Sequence, residues 1–476
     1  MSGENEVARV RAELKEHDQE HLLAFWPELS PEQRQSLLGQ IQELDLSRVG
    51  DWVERLVRNK PEPPVEQKEF VPAPSYRPRP RTDMERRKYL QAIQLGQERI
   101  AAGKVAGLTV AGGQGTRLGF EGPKGNFPIS PIKGKTLFRI FAETIQAVSR
   151  RYGAACPWYI MTSPMNHRQT LEIFEAEDYY GLDRRNVFIL QQGTLPNFGF
   201  DGRILLAARD RIARSPDGHG GCIRALARSG ALADMKTRGI EHISYWQVDN
   251  PLVRLFDPLF IGLHALDGAE MSSKAVIKNA PQEKVGNFCL IDGKVTVIEY
   301  SDLPDELAEK RNPDGSLVFQ LGSIAIHIIN TRFVEKLNRQ GRALPLHRAI
   351  KKIPHINRQG NPVEPAEPNG VKLEAFIFDA LPVAETSIIL EIDREEQFAP
   401  VKNATGSDSV ESTRRMMVER AARWLESAGV KVPRKPDGSP DCCLEIAPSF
   451  ALDQEDVPAK RDRIDPIRPG HEVYLD

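Results

Sequence analysis

Two rhythms of apolar and polar residues alternate along the middle of this chain. Compact runs rich in β-branched and aromatic residues occur at 105–111, 158–162 (WYIMT), 187–192 (VFILQQ), 242–249 (HISYWQVD), 272–277 (SSKAVI) and 323–329 (SIAIHII). Runs of this length and composition predict strands. Between them, 136–151, 166–177, 203–214 and 221–238 read as helices. The first of these carries Leu137, Phe138, Phe141, Ile145 and Val148 on one face. Such alternation predicts a parallel sheet wrapped by helices, with ligands bound where loops leave the carboxyl ends of the strands. A glycine-rich segment after 105–111, Gln192 and Asp249 all fall at such ends.

The flanks read differently. Residues 1–60 are predicted to be helical, with Ser30-Pro31-Glu32-Gln33 as a start signal and Leu37, Leu38, Ile41 and Leu44 following at helical spacing. The proline-rich stretch 61–82 sustains neither a helix nor a central strand and reads as an extended connector. A helix is predicted over 83–102 and another over 408–428, followed by short pieces interrupted by proline. The expected organisation is α/β: an N-terminal helical segment with its connector (1–82), a central sheet domain (83–395) and a small C-terminal α+β domain (396–476).

Composition narrows the classes. The chain has 476 residues, 40% hydrophobic and 27% charged, with a formal net charge of −2. The absence of a basic surplus speaks against nucleic acid as a partner. No apolar run reaches the ~18 residues of a membrane span, and the charged beginning MSGENEVARVRAELKEH has no apolar core of a leader peptide. The five cysteines form no CxxC or Cys/His pairs. That excludes a structural zinc pattern or disulfide framework and suits a reducing cytoplasm, the expected compartment.

The segment LTVAGGQGTRLGFEGPKG (108–125) holds the chemistry. A dinucleotide fingerprint requires G-x-G-x-x-G followed by a helix. Gly113 and Gly115 supply two positions, but Leu118 stands at the third and Pro123 and Pro128 follow. A P-loop requires G-x-x-x-x-G-K-[ST]; Gly134-Lys135-Thr136 offers its end, with Ile129 where the first glycine belongs. Neither loop is present. What remains is a strand, a run of glycines that lets backbone N–H groups approach an anion, and two cations, Arg117 and Lys124, suited to a pyrophosphate. A glycine-rich turn with surface cations is the plainer alternative for this stretch alone.

AGGQGTRLG…PKG resembles the signature of the UDP-sugar pyrophosphorylases, most nearly their UDP-N-acetylhexosamine members. The resemblance continues in order through WYIMTS (158–163), QQGTLPNFGFDGRI (191–204), PDGHGG (216–221), VDNPL (248–252), VIEYSDL (297–303), PNGVKLEAFIFD (368–379) and FAPVKNATG (398–406). EHLLAFWPELSPEQ (20–33) is also similar. The resemblance implies a Rossmann-like nucleotidyltransferase domain that converts UTP and a sugar 1-phosphate, with Mg²⁺, into a UDP-sugar and pyrophosphate. Carried over by position, Val110, Ala111, Gly112 and Gly113 would line the UTP site, and Arg117 and Lys124 would bind its phosphates. Gln192 and Gly218 match uridine-recognising positions, Asp249 the Mg²⁺ ligand and Lys372 a further UTP-side lysine. Glu299 and Tyr300 match a sugar-contacting pair, and Lys402 a lysine at the sugar phosphate. Gly286, Phe376 and Phe378 match residues lining the sugar pocket. Considered alone, Lys372 and Lys402 would pass for surface lysines and the two phenylalanines, at alternating strand spacing, for packing residues.

Two positions depart from the N-acetylhexosamine pattern. His219 stands where those members carry asparagine in P-D-G-N-G-G, and Ser323 replaces the asparagine of G-N-I. N-acetylglucosamine 1-phosphate is the expected acceptor, with glucose 1-phosphate or a broad set of sugar phosphates as the alternative. A non-catalytic UDP-sugar-binding regulator is the reading from another class. The intact set Arg117, Lys124, Asp249 and Lys402 opposes it, and the failed fingerprint opposes a nicotinamide oxidoreductase.

Overall fold

The computed structural model describes residues 2–59, 70–339 and 344–476. The chain divides into two compact units, a larger one of Lys68–Gln191, Ile223–Arg342 and Ala380–Asp476, and a smaller one of Met1–Gln67, Gln192–Cys222 and Ala343–Asp379.

A ten-stranded sheet organises the larger unit. Its strands are β1 (Phe70–Pro72), β2 (Val105–Val110), β3 (Trp158–Thr162), β4 (Val187–Gln191), β5 (His242–Gln247), β6 (Met271–Ile277), β7 (Gly286–Ile291), β8 (Lys294–Ile298), β9 (Leu321–Asn330) and β10 (Ser387–Glu391). The main path runs β1-β7-β9-β5-β2-β3-β4, with β6 joining β9 to β10 and β8 beside β7. Strands β5, β2, β3 and β4 are mutually parallel, as are β6 and β10, while β9 runs antiparallel to β5, β6 and β7. All six strand runs expected from the pattern are present. β2, β3 and β5 are buried along nearly their whole length, as a sheet covered by helices requires; β2 and β3 are mostly apolar, while β5 buries His242 and Ser244 among its apolar residues. The helix Leu137–Tyr152 starts at a Thr136 cap and inserts Phe138, Phe141 and Ile145 beneath the sheet, against Trp158 and Trp246. Asp83–Ala101 is likewise helical, capped by Thr82 and Glu85.

The smaller unit is built from the N-terminal helices and a separate three-stranded sheet in which Gly370–Ala375 pairs with Leu346–Lys351 and Phe198–Gly199. Its core joins Leu22, Leu37, Ile41 and Trp52 to Phe198, Ile212, Val371 and Leu373. Those residues come from three distant stretches, so the expected division at 82 and 395 differs from the folded units: 192–222 and 343–379 leave the central stretch for this second core. Residues 396–476 belong to the larger unit, although Trp424, Leu425, Leu444 and Phe450 form a core of their own. The Glu445 carboxylate accepts from the N–H groups of Ile132 and Lys133 at 2.8 and 2.9 Å, which ties that segment to the sheet domain.

Two helix expectations are corrected. Residues 203–214 form short strands, Leu206–Ala208, Arg211–Ile212 and the start of Arg214–Pro216. Arg214–Pro216 pairs with Thr194–Pro196, and Gln40 of the N-terminal region accepts the Ile212 N–H at 2.9 Å; distant partners override a local spacing that fits either period. The stretch 221–238 is two helices, Cys222–Arg228 and Ala231–Thr237, parted at Gly230, whose φ is +83°. Of the proline-rich connector, 61–69 lies outside the described residues. The rest is extended: β1 pairs with β7, and Tyr76 exchanges backbone hydrogen bonds with Ile389 and Glu391. Among the described residues no helix is long and apolar enough to cross a membrane.

Candidate active site

Strand order decides where the chemistry of the larger unit gathers. The chain passes from β2 outward to β3 and β4, then returns to place β5 on the other side of β2. This reversal makes the carboxyl ends of β2 and β5 a topological switch point, the usual ligand crevice of an open α/β sheet. The parallel register Val110↔Gln247 brings the glycine-rich loop and the Asp249 turn side by side.

The loop after β2 is a tight, internally bonded turn, not the start of an α-helix, as its prolines imply. Gly115 N–H donates to Gly122 and Lys124 N–H to Gly113, and short 3₁₀ turns occupy Thr116–Leu118 and Lys124–Asn126. Val110 and Ala111 spend their backbone groups on the sheet, accepting from Val248 and donating to Met161 respectively. Among the described residues, the N–H groups of Gly112 and Gly113 donate to no acceptor, and both glycines are accessible. Arg117 is exposed and has no carboxylate within ion-pair distance among the described residues. Lys124 is nearly buried, with Nζ 3.6 Å from Asp249 Oδ2.

The Asp249 turn also holds the Lys402 segment, about 150 residues later. Asp249 C=O accepts from Val401 N–H at 2.8 Å. Asn250 donates to Gln397 C=O at 2.7 Å and accepts from Ala399 N–H at 3.0 Å. The Lys402 ammonium lies 3.7 Å from Asp408. Asp249 contributes one hard carboxylate oxygen, and no cluster of three or more metal-ligating side chains exists among the described residues. That donor set fits Mg²⁺, which takes few protein ligands and fills its shell with phosphate oxygens and water; it does not fit a caged transition metal.

Four further candidates cluster on the antiparallel side of the same sheet. Gly286 pairs with Ser323 across β7 and β9, and Glu299 and Tyr300 follow β8, the partner of β7. A Cβ on Gly286 would lie 2.5 Å from Val297, so glycine is required for the close strand approach. Two residues past Ser323, Ala325 has φ +53°, a left-handed conformation unfavourable for alanine, and the β6–β9 register shifts between Ser273 and Ala275. Such a bulge re-aims neighbouring side chains.

The smaller unit carries Gln192, Gly218, His219, Lys372, Phe376 and Phe378. Gln192 Nε2 donates to Asp217 Oδ1 at 3.2 Å and to Gly218 C=O at 3.4 Å. Gly218, with φ +84°, packs so tightly on the end of Gly370–Ala375 that a Cβ would lie 2.4 Å from the Ala375 carbonyl oxygen. Ala375 N–H donates to Asp217 C=O, sealing that contact. Phe376 and Phe378 do not alternate along a strand as expected. The strand ends at Ala375, Phe376 is irregular and Phe378 lies in a 3₁₀ turn, so both rings can meet His219. The imidazole is 5.2 Å from Phe376 and nearly parallel (13°), and 5.8 Å from Phe378. Burial, with a smaller contribution from nearby His347, pushes its pKa down to about 4. Ile377 N–H donates to Nδ1 at 3.2 Å, which leaves the proton of the neutral ring on Nε2. Lys372 sits on the same strand, paired with Ala349.

Sequence reasoning missed Asn166, Asp217 and His347. Asn166 is fully buried. Its Nδ2 donates to Ala111 C=O at 2.9 Å and Gly113 C=O at 3.2 Å, and its Oδ1 accepts from Ser163 N–H. It therefore pins the glycine loop from the end of β3, three residues beyond the WYIMTS motif. Asn166→Ala leaves the Ala111 carbonyl unpaired and takes one of two donors from that of Gly113, whose other donor is Lys124 N–H. It is expected to raise the KM for UTP about tenfold, as read in initial rates with UTP varied; an unchanged KM would remove Asn166 from this role.

A nucleotidyltransferase is the class defined by this sheet, its switch-point glycine loop and its paired lysine and aspartate. A family model described as UTP–glucose-1-phosphate uridylyltransferase matches residues 54–436. UDP-N-acetylhexosamine pyrophosphorylase-like protein 1 of Homo sapiens is 38% identical over 98% of this chain and 94% of its own length. UDP-N-acetylglucosamine diphosphorylase 2 of Arabidopsis thaliana is 38% identical over 87% of this chain and 84% of its own. The solved structure of uridine diphosphate N-acetylglucosamine pyrophosphorylase from Trypanosoma brucei superposes with a TM-score of 0.80 at 26% identity, covering 99% of this chain and 98% of that one. The chain belongs to the UTP–glucose-1-phosphate uridylyltransferase family.

Proposed function

We propose that this enzyme transfers the uridylyl group of UTP to a sugar 1-phosphate, with N-acetylglucosamine 1-phosphate as the preferred acceptor. A phosphate oxygen of the sugar phosphate attacks the α-phosphorus of UTP; the bond from that phosphorus to the bridging oxygen breaks, and pyrophosphate departs with the electron pair. The nucleophile is already an anion and needs no general base. The barrier lies in bringing anions together and in charge gathering on the leaving group, so positioned cations supply the catalysis. Arg117, Lys124 and the Gly112 and Gly113 N–H groups hold the triphosphate, and Lys402 holds the sugar phosphate. Gln192, its amide donating to Asp217 and Gly218, is left to accept a hydrogen bond from the uracil ring with Oε1. Lys372 adds charge on the UTP side. Asp249 would hold Mg²⁺, which when bound neutralises phosphate charge. In the larger unit Glu299, Tyr300, Gly286 and Ser323 are the sugar-recognising candidates; in the smaller unit they are His219, Phe376 and Phe378.

One observation carries the reading: the Asp249 turn, packed beside the glycine loop, holds Lys124 through its carboxylate and the Lys402 segment through its backbone. A second reading, glucose 1-phosphate, is favoured by His219 and Ser323. A neutral imidazole offers one donor where an asparagine amide both donates and accepts. Pyrophosphate release from UTP and Mg²⁺ with a panel of sugar 1-phosphates is the test. N-acetylglucosamine 1-phosphate is expected to give the highest kcat/KM. Preference for glucose 1-phosphate would select the second reading, and turnover with no sugar phosphate would leave a nucleotide-sugar-binding regulator.

A further inference from the structure

We propose that His347 and Asp379 are positioning residues for the sugar pocket: they hold the Phe376 ring on which His219 stacks, and so help set which sugar 1-phosphate is preferred. The inference rests on the uridylyl-transfer reading and adds two residues to it, both within the smaller unit.

The antiparallel register His347↔Glu374 sets His347 beside the point where the chain leaves the strand at Phe376. Its imidazole lies 4.3 Å from the Phe376 ring at 23°, closer than the His219 ring does, and 6.4 Å from Phe378. His347 Nε2–H donates to Asp379 Oδ2 at 2.8 Å, and Asp379 N–H donates to Phe376 C=O at 3.2 Å. Asp379, whose carboxylate takes the imidazole, is thereby tied through its own backbone N–H to the residue whose ring the imidazole covers. A phenyl ring has no polar group by which to be oriented; here its orientation comes from a histidine tied at the edge and laid on its face. His219, bonded to Ile377 N–H and stacked on Phe376, inherits that position. Three separate stretches of chain thus form one stack, and a binding site holds its geometry only where such supporting contacts lock the rotamers.

The test separates the ring from the hydrogen bond. His347→Gln keeps a donor for Asp379 and removes the ring, whereas His347→Phe keeps the ring and removes the donor. In the full-length enzyme, His347→Gln is expected to change the ratio of kcat/KM for N-acetylglucosamine 1-phosphate over glucose 1-phosphate about fivefold, with the KM for UTP held within about twofold. His347→Phe, which returns the ring without its tie to Asp379, is expected to restore only part of the ratio; full restoration would remove Asp379 from the proposal. A uniform loss with every sugar phosphate, or an equal rise in the KM for UTP, overturns the proposal. The His219 ring-proton resonance, shifted by the Phe376 ring current, gives a readout without turnover. Its displacement in His347→Gln supports the proposal and its constancy overturns it, even where the parent enzyme accepts no sugar phosphate and the transfer reading itself has failed.

Discussion

Replacing Asp249 with alanine is expected to lower kcat for pyrophosphate release by about 10³-fold or more, with the melting temperature changed by only a few degrees. On the proposed reading the carboxylate would supply the hard oxygen ligand at the switch point; it lies 3.6 Å from Lys124 Nζ. Its removal would deprive Mg²⁺ of that anchor and take from Lys124 its ion-pair partner. The fold survives because the turn is held by its backbone and by Asn250, which keeps both bonds to the Gln397–Ala399 segment. Asp249→Asn preserves shape and loses charge, so it should fail nearly as badly. Rates within a few-fold of the parent in either variant, measured at saturating Mg²⁺, would refute the metal assignment. Raising Mg²⁺ is expected to recover part of the activity of Asp249→Asn and none of that lost in an Arg117 variant.

The largest effect on stability is expected at Lys274, whose side chain is fully buried with Asp257 beside it. Lys274 Nζ donates to Asp257 Oδ2 at 2.7 Å and to Gln397 Oε1 at 2.5 Å. Removing Lys274 takes from the buried Asp257 carboxylate its hydrogen-bonded counter-charge, a loss of about 3 kcal/mol. Lys274→Ala should therefore lower the melting temperature of the larger unit by several degrees. A shift of less than a degree by calorimetry would contradict this. The pair also fixes a pH dependence. Burial opposes the Asp257 carboxylate, but Lys274, Arg254 and the Leu259 N–H outweigh it and hold its pKa down to about 2, from 3.8. A carboxyl depressed in the folded state contributes fully above its unfolded pKa, so stability from this group is complete above about pH 5 and declines as pH falls from 4 towards 2. In Lys274→Ala that slope should flatten. Asp257 also caps the helix Pro258–Leu266, so the pair secures the far end of the loop that begins at Asp249.

Much of this was legible in one dimension. Strand runs and the helices at 83–102, 136–151, 166–177 and 408–428 follow from local periodicity, because burial against a sheet imposes the 2.0 or 3.6 rhythm residue by residue. The glycine loop was classed by spacing alone: a third glycine one place late, followed by prolines, excludes two helix-initiating loops, and the structure shows a bonded turn there. The stretch 203–214 was misread because its spacing suits either period: Leu206–Ala208 pairs with Arg211–Ile212, Arg214 pairs at 194–196, and the Ile212 N–H is taken by Gln40 of an N-terminal helix. Asn166 gave no signal, since a lone asparagine after a strand is common and its task, tying down Ala111 and Gly113, exists only once β3 lies beside β2.

The sequence by itself determined six strands of the central sheet and its longer helices, that the loop at 108–125 suits an oxyanion, and which side chains bear charge. Tertiary structure alone decided that Lys124, Asp249 and the Lys402 segment share one place, that 192–222 and 343–379 join the N-terminal helices in a second core, and that His219, His347 and Phe376 form one stack. The physical reason is that hydrophobic periodicity is a property of neighbouring residues. Strand order, register and the closing of long loops are set by total burial over the whole chain, and no local pattern records which distant partner will win.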